Sequence, residues 1–154
     1  MPPVVGIVLG SRSDTTWAQP AMDVLEEFEV EYEVVVASAH RQPDRARRYA
    51  SGAEKRGLRI LIAAAGMAAH LPGVLASHTT LPVLGVPLPA STLGGLDSLL
   101  SIAQMPGGIP VGTLGIGAAG AQNAALLAVE ILALGDSTLR RALGTYRQTL
   151  KRKR

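Results

Sequence analysis

The chain has no cysteine and few aromatic residues: one tryptophan, one phenylalanine and three tyrosines among 154 residues. The lack of cysteine excludes disulfide bonds, thiolate catalysis and every zinc or iron–sulfur site built on cysteine, and it favours a cytoplasmic location. The N-terminus shows neither a basic segment nor a long apolar run with a cleavage site, so no signal peptide is expected. An apolar fraction of 47% excludes a disordered chain.

Positive charge is scarce outside the C-terminal end of the chain. Seven of the 15 Lys and Arg residues lie within residues 140–154, which leaves 8 basic against 12 acidic residues in the rest. A nucleic-acid site needs a basic groove with aromatic stacking partners, yet aromatic residues make up only 3% of the chain. We therefore interpret the basic run as the solvated, frayed end of a C-terminal helix or tail over about residues 136–154. Nucleic-acid binding is not expected.

Residues 60–139 contain no Lys or Arg, and their only carboxylates are Asp97, Glu130 and Asp136. A monomer with so little charge over this length would expose large apolar patches, which soluble monomers rarely do. Gly and Pro interrupt the apolar runs, so no membrane span of about 20 residues remains. We therefore expect burial between subunits, in a closed homo-oligomer larger than a dimer.

Apolar runs alternate with helical patterns along the whole chain. This alternation predicts an open parallel α/β sheet, flavodoxin-like or Rossmann-like, in one domain over residues 1–154. The predicted strands are residues 4–9, 31–36, 59–64, 82–86 and 111–116. The first predicted helix is capped by Asp14 and runs to about Phe28. Three more are predicted at residues 44–56, 70–77 and 119–134, and Asp136 or Ser137 caps a last one. The helix at 119–134 is almost wholly apolar, so we expect it to be buried on nearly all sides.

In sheets of this kind, ligands bind beyond the carboxyl ends of the strands, in the loops that lead to the following helices. The polar and titratable residues of this apolar chain gather in the first three such loops, residues 10–14, 37–43 and 65–73. We therefore expect the three loops to converge on one site.

The first loop places Gly10, two serines and Asp14 at a helix N-terminus. Free backbone N–H groups there favour a phosphate, and the carboxylate can accept from ribose hydroxyls. Because Ser and Asp are also the commonest helix caps, a purely structural turn is an equal alternative. The second loop is more specific, since His40 belongs to the residue type that titrates near neutral pH and Arg41 is a planar donor for phosphate or carboxylate.

Two of the three histidines, His40 and His70, fall in these loops, whereas His78 is interpreted as a helix-end residue without a chemical role. A single loop histidine is usually structural, but two at one predicted sheet edge favour a catalytic role. A metal site made by these two and Asp14 has no characteristic spacing, so no metal is expected.

The stretch from Gly115 to Gly120 fits the G-x-G-x-x-G pattern of dinucleotide sites. It follows the last predicted strand, however, and no further β-α-β half remains downstream to hold a ribose. We favour the alternative that these glycines and alanines permit close backbone packing.

Five blocks carry a family resemblance that runs from about residue 6 to residue 134. They are GSRSD, SAHRQPDR, AAHLPGVLASHTTLPVLGVP, GGLDSLLSIAQMPGGIPVGTLGIG and AGAQNAALLA. With these blocks the chain resembles the N5-carboxyaminoimidazole ribonucleotide mutase family of purine biosynthesis, in its bacterial class I form. The resemblance implies a flavodoxin-like three-layer αβα sandwich with a central parallel sheet. It also implies a homo-octamer and catalysis without ATP, metal or other cofactor.

The reaction implied by the resemblance moves a carboxylate from the exocyclic nitrogen of the aminoimidazole ribonucleotide to ring carbon C4, with transient CO2. The catalytic residues it implies are His40, as general acid and base, and His70. The residues it implies for substrate binding are Ser11, Ser13 and Asp14 at the ribose phosphate region, Ser38 and Arg41 at the phosphate, and Gly66 and Leu71 around the base and the migrating carboxylate.

The chain departs from the family pattern at three places. Family members usually have Trp directly after the first-loop Asp, where this chain has Thr15, with Trp17 two residues later. The third loop commonly reads GAGGAAH, and Met67 here replaces a Gly. The third departure is the basic C-terminal tail, for which the family resemblance implies no role. Two alternatives stay open: a direct carboxylase that uses free CO2, which generally lacks AAHLPG, and a non-catalytic flavodoxin-like protein that binds flavin or nucleotide.

Overall fold

Five parallel strands form one sheet at the centre of the computed structural model, which describes residues 1–153. In chain order they are β1 (Val5–Leu9), β2 (Tyr32–Val36), β3 (Ile60–Gly66), β4 (Val83–Leu88) and β5 (Gly112–Thr113). Their order across the sheet is β2-β1-β3-β4-β5. This order is that of flavodoxin-like sheets, with a topological switch point between β1 and β3. The predicted flavodoxin-like fold is therefore confirmed.

The apolar runs of the central strands bury side chains on both faces of the sheet. Ile7 of β1 lies opposite Val34 of β2 and Ile62 of β3. Ile7 and Ile62 point into one core, whereas the neighbouring Val8 and Leu61 point into a second core on the other face. This arrangement is typical of parallel strands covered by helices on both sides.

Within residues 1–153, six helices cover the sheet. They are α1 (Thr15–Glu27), α2 (Pro43–Ala53), α3 (Leu71–Ala76), α4 (Leu96–Ala103), α5 (Ala118–Ala133) and α6 (Ser137–Arg152). Short 3-10 turns stand before α1 at Arg12–Asp14 and after α2 at Glu54–Arg56. Helices α1, α5 and α6 pack on one face of the sheet, and α2, α3 and α4 supply the core of the other. The predicted three layers are thus present.

The structure corrects three expectations about these elements. The sequence pattern does not predict α4, which spans only eight residues. The last strand is confined to Gly112–Thr113 at the edge of the sheet, where it pairs with β4 alone, and the N–H of Leu114 still donates to the Gly85 carbonyl at 2.9 Å. Helix α5 is not buried on nearly all sides in the single chain, since Gln122 and Asn123 are exposed and Leu126 is half-buried.

The helix ends explain two polar residues. Asp136 caps α6 as predicted, since its carboxylate accepts from the backbone N–H of Thr138 at 2.9 Å and of Leu139 at 3.1 Å. Asp14 occupies the position before α1, but its side chain makes no capping hydrogen bond, so the predicted cap is wrong. Helix α6 continues to Arg152, and residues 151–153 at its basic end are exposed, as expected for a solvated helix end. Arg154 lies outside the described residues.

The G-x-G-x-x-G stretch has a packing role. A Cβ on Gly120 in the first turn of α5 would collide with the backbone of Gly115. A side chain at position 120 is therefore excluded by the tight approach of the two segments, in agreement with the packing interpretation. Within residues 1–153, no helix has the length and apolar character that a membrane crossing requires.

Candidate active site

One cleft of about 460 Å³ opens at the carboxyl ends of β1, β2 and β3. Because β1 lies between the other two strands, the loops that follow all three are neighbours in space. The residues predicted for catalysis or substrate binding all line this cleft: Ser11, Ser13, Asp14, Ser38, His40, Arg41, Gly66, His70 and Leu71. The structure thus brings together the three loops, while the chemical roles of the residues stay predictions.

The first loop presents two hydroxyls and a carboxylate in a tight turn. The Oγ atoms of Ser11 and Ser13 lie 2.9 Å apart, and the backbone N–H of Asp14 donates to the carbonyl of Ser11 at 3.1 Å. Burial raises the pKa of the Asp14 carboxyl above its usual value, and a backbone hydrogen bond with Ser11 lowers it by less. These groups match the hydroxyls and phosphate of a ribonucleotide in polarity.

The second loop is held by Ser38. Its Oγ accepts a hydrogen bond from the backbone N–H of Arg41 at 3.1 Å, and its carbonyl accepts from the N–H of Gln42 at 2.9 Å. This turn carries His40 and Arg41 at the mouth of the cleft, where both are exposed, just before α2 begins at Pro43. The hydroxyl of Ser38 therefore fixes the loop in addition to lining the cleft.

The third loop is strained. The backbone N–H of Ala69 donates to the carbonyl of Gly66 at 3.1 Å, and this tight turn puts Met67 at φ 55° and Ala69 at φ 22°. Non-glycine residues in this left-handed region cost roughly 1–2 kcal/mol each, and such strain clusters at functional sites. Met67 is 60% exposed and lines the cleft, so its side chain stands at the opening and not in the core.

Gly66 allows the third loop to pass close to the chain after β4. A Cβ at this position would lie 2.6 Å from the Cβ of Ala90 and 3.5 Å from the carbonyl oxygen of Leu88. Ala90 itself lines the cleft, and the sequence reasoning missed it. The order of the strands could have indicated Ala90. Because β4 lies next to β3, the loop that follows β4 must reach the same edge of the sheet.

The two histidines meet across the cleft. The rings of His40 and His70 lie edge to face, with 4.8 Å between their centroids and 84° between their planes. His70 stands directly before α3 and makes no capping hydrogen bond. His78, in contrast, follows the end of α3 and does not line the cleft. Within the described residues 1–153, no group of three or more His, Asp or Glu side chains is arranged to hold a metal ion.

Comparison with known proteins shows the family of the chain. The family model described as AIR carboxylase matches residues 4–153. The chain belongs to the AIR carboxylase family. A relative in this family from Pyrococcus abyssi, named N5-carboxyaminoimidazole ribonucleotide mutase, is 56% identical over 150 residues, which cover 97% of this chain and 85% of the relative. The relative of the same name from Bacillus subtilis is 54% identical, with 98% and 93% covered.

A solved structure shares the fold. The crystal structure of PurE from Treponema denticola superposes with a TM-score of 0.86 at 27% identity, and the match covers 98% of this chain and 93% of that one. The resemblance to the mutase family found in the sequence is therefore confirmed.

Proposed function

We propose that this chain is an isomerase that converts N5-carboxyaminoimidazole ribonucleotide to 4-carboxy-5-aminoimidazole ribonucleotide in purine biosynthesis. The observation that carries the proposal is the cleft, in which the His40–His70 pair faces the polar first loop and Arg41. Relatives named for this mutase are 51–56% identical to the chain over nearly its full length. The whole described chain acts as one catalytic domain in this proposal.

The substrate is an anion with three recognisable parts, and the cleft offers a partner for each. The hydroxyls of Ser11 and Ser13, with Asp14, take the ribose phosphate region, and Ser38 and Arg41 assist at the phosphate. Gly66, His70 and Leu71 surround the base and the carboxylate. A guanidinium suits a phosphate because its planar N–H donors match two oxygens at once.

The first half-reaction is the loss of CO2 from the exocyclic nitrogen. An N-carboxylate is a carbamate, which breaks its N–C bond readily once the nitrogen carries a proton. In the proposal, protonated His40 donates that proton, so the electron pair of the N–C bond stays on nitrogen and neutral CO2 is released. His40 is then the neutral base that the second half-reaction needs.

The second half-reaction forms the bond at C4. The ring is an enamine-like nucleophile at this carbon, and its attack on CO2 makes the new C–C bond. Neutral His40 then removes the proton from C4, which restores the aromatic ring and returns the histidine to its starting state. One residue thus serves both steps, and no net proton is consumed.

Retention of CO2 between the two steps needs an apolar enclosure. Ala65, Ala68 and Ala69 line the cleft beside the two histidines and bring no group that binds water strongly. The exclusion of water also strengthens the contacts of Arg41 and the backbone N–H groups with the anionic substrate.

The proposal includes a cytoplasmic homo-octamer. The support is the exposure of apolar side chains in a segment without Lys or Arg, residues 60–139: Leu96 and Leu100 of α4 are 53% and 51% exposed. Light scattering on the purified protein measures the assembly directly, and a monomeric mass would contradict it.

The decisive experiment follows the two carboxylated ribonucleotides in the presence of isotopically labelled CO2 and without ATP. We expect interconversion without incorporation of label, since the CO2 stays in the cleft. Ready incorporation would favour the direct carboxylase. A protein that binds flavin or nucleotide but does not interconvert the isomers would be a non-catalytic binder.

A further inference from the structure

A second groove, of about 500 Å³, lies beside the cleft at the start of α2. It is lined by Arg41, Gln42, Pro43, Asp44, Arg45 and Arg48. Arg41 lines both the groove and the cleft, so the two are neighbours that meet at this residue. Arg45 and Arg48 stand one helical turn apart on α2 and present their guanidinium groups on the same face.

The groove carries uncompensated positive charge. Asp44 is its only carboxylate, and it is 3.6 Å from Arg47, which does not line the groove. In the part of the chain that the structure describes, no ion pair within 4.0 Å involves Arg41, Arg45 or Arg48. Arg56 makes the contrast clear, since it pairs with Glu33 at 2.9 Å and lies 4.9 Å from the ring centre of Tyr49. Its guanidinium has a structural role, whereas those of the groove face solvent.

The positive charge of the groove stands out because the rest of the chain before residue 140 is mainly acidic. Acidic residues outnumber basic ones 12 to 8 before residue 140, and the other dense basic cluster lies on α6, across the sheet from α2. Three of these 8 basic residues, Arg41, Arg45 and Arg48, therefore line one groove next to the cleft. A local field of this kind concentrates anions at the mouth of a site and speeds their association.

We infer that Arg45 and Arg48 form an outer anion site, which collects the phosphate and carboxylate of the incoming ribonucleotide and passes it to Arg41 in the cleft. This inference rests on the proposed function for the identity of the substrate. Arg45 and Arg48 act on encounter, at a distance from the reacting atoms, so they change how fast the substrate is captured and not how fast it reacts. Capture must then depend on salt, because the Debye length falls from about 30 Å at 0.01 M to about 10 Å at 0.1 M ionic strength.

The test compares Arg45→Gln/Arg48→Gln with the unaltered chain over a range of ionic strength. We expect kcat to be unchanged and kcat/KM to fall about tenfold at low ionic strength, at the lower end of the range for electrostatic steering. The two proteins should converge as salt is added, because screening removes the advantage of the arginines. Lys151→Gln/Arg152→Gln is the matched control: it removes the same charge from α6, on the other face of the sheet, and should behave as the unaltered chain does.

Three results would overturn the inference: equal kcat/KM at low ionic strength, parallel salt dependences of the two proteins, or a fall of kcat equal to that of kcat/KM. An equal loss in the control variant would also overturn it, since net charge and not the groove would then be responsible. These outcomes differ from a failure of the proposed function, in which the unaltered chain itself would not interconvert the two isomers.

Discussion

Substitution of Gly66 by alanine tests the close approach between the third loop and the chain after β4. The new Cβ would lie 2.6 Å from the Cβ of Ala90, well inside the 3.4 Å at which ordinary van der Waals contact begins. The two other nearby atoms, the Leu88 carbonyl oxygen at the end of β4 at 3.5 Å and the Ala90 Cα at 3.7 Å, are at ordinary distances. The conflict is therefore confined to one methyl group.

The expected cost follows from this geometry. A methyl group forced into a packed contact destabilises a protein by roughly 1–3 kcal/mol, because the backbone on one side must move. For a chain of this length, each kcal/mol lowers Tm by about 2–4 °C. We therefore expect Gly66→Ala to lower Tm by about 2–12 °C.

The double variant Gly66→Ala/Ala90→Gly identifies the cause. Ala90→Gly alone costs roughly 0.5–1 kcal/mol through chain entropy, but in the double variant it also removes the colliding methyl group. The double variant should therefore be more stable than Gly66→Ala, with a coupling free energy of about 1–2 kcal/mol. Thermal unfolding of all four proteins at one fixed concentration measures it, since oligomer formation makes Tm depend on concentration.

Additive effects of the two substitutions would refute this reasoning. The Ala90 methyl group would then not be what excludes a side chain at position 66, and the position of the third loop in the structure would be wrong.

Three further predictions concern the cleft and the tail. His40→Asn should lower kcat by ~10² or more, as expected for loss of a general acid and base, while the ribonucleotide still binds in an equilibrium titration; full activity would refute the assigned role. Removal of residues 151–154 should leave activity intact in the interconversion assay, because the α6 residues that pack on the core, Leu139, Ala142, Leu143 and Tyr146, all precede the cut. Asp14→Asn should raise Tm at pH 7, because burial raises the pKa of this carboxyl and its charged form therefore costs stability in the folded state. The gain should fade as the pH falls towards 3.8, where the wild-type carboxyl is protonated, and identical Tm values across this range would contradict the raised pKa.

The sequence predicted the centre of the fold and the meeting of the loops because both follow from strong local patterns. The apolar runs of β1 and β3 leave no polar face, so they must be buried in the middle of a parallel sheet. Once that is known, the loops after β1, β2 and β3 must share one edge, and their serines, histidines and Arg41 come with them.

The features that sequence reasoning missed depend on longer-range contacts. Helix α4 is short and begins after Gly94 and Gly95, both at positive φ, so it has neither the length nor the polar cap that usually indicates a helix. Ala90 carries no chemical signal and enters the cleft only because β4 lies next to β3. The strain at Met67 likewise arises from the turn that ties Ala69 to Gly66, and the side chain at position 67 gives no sign of it.

The cleft has one further consequence for how such a protein can diverge. All of its lining residues except Ala90 come before position 72, whereas the exposed leucines Leu93, Leu96, Leu100 and Leu134 come after it. In the proposed function, the residues for chemistry and these leucines, which are available for self-association, thus come from separate halves of the chain. Under that proposal, substitutions in the second half can remodel quaternary structure while the first half keeps its reaction, so the two properties are free to evolve at different rates.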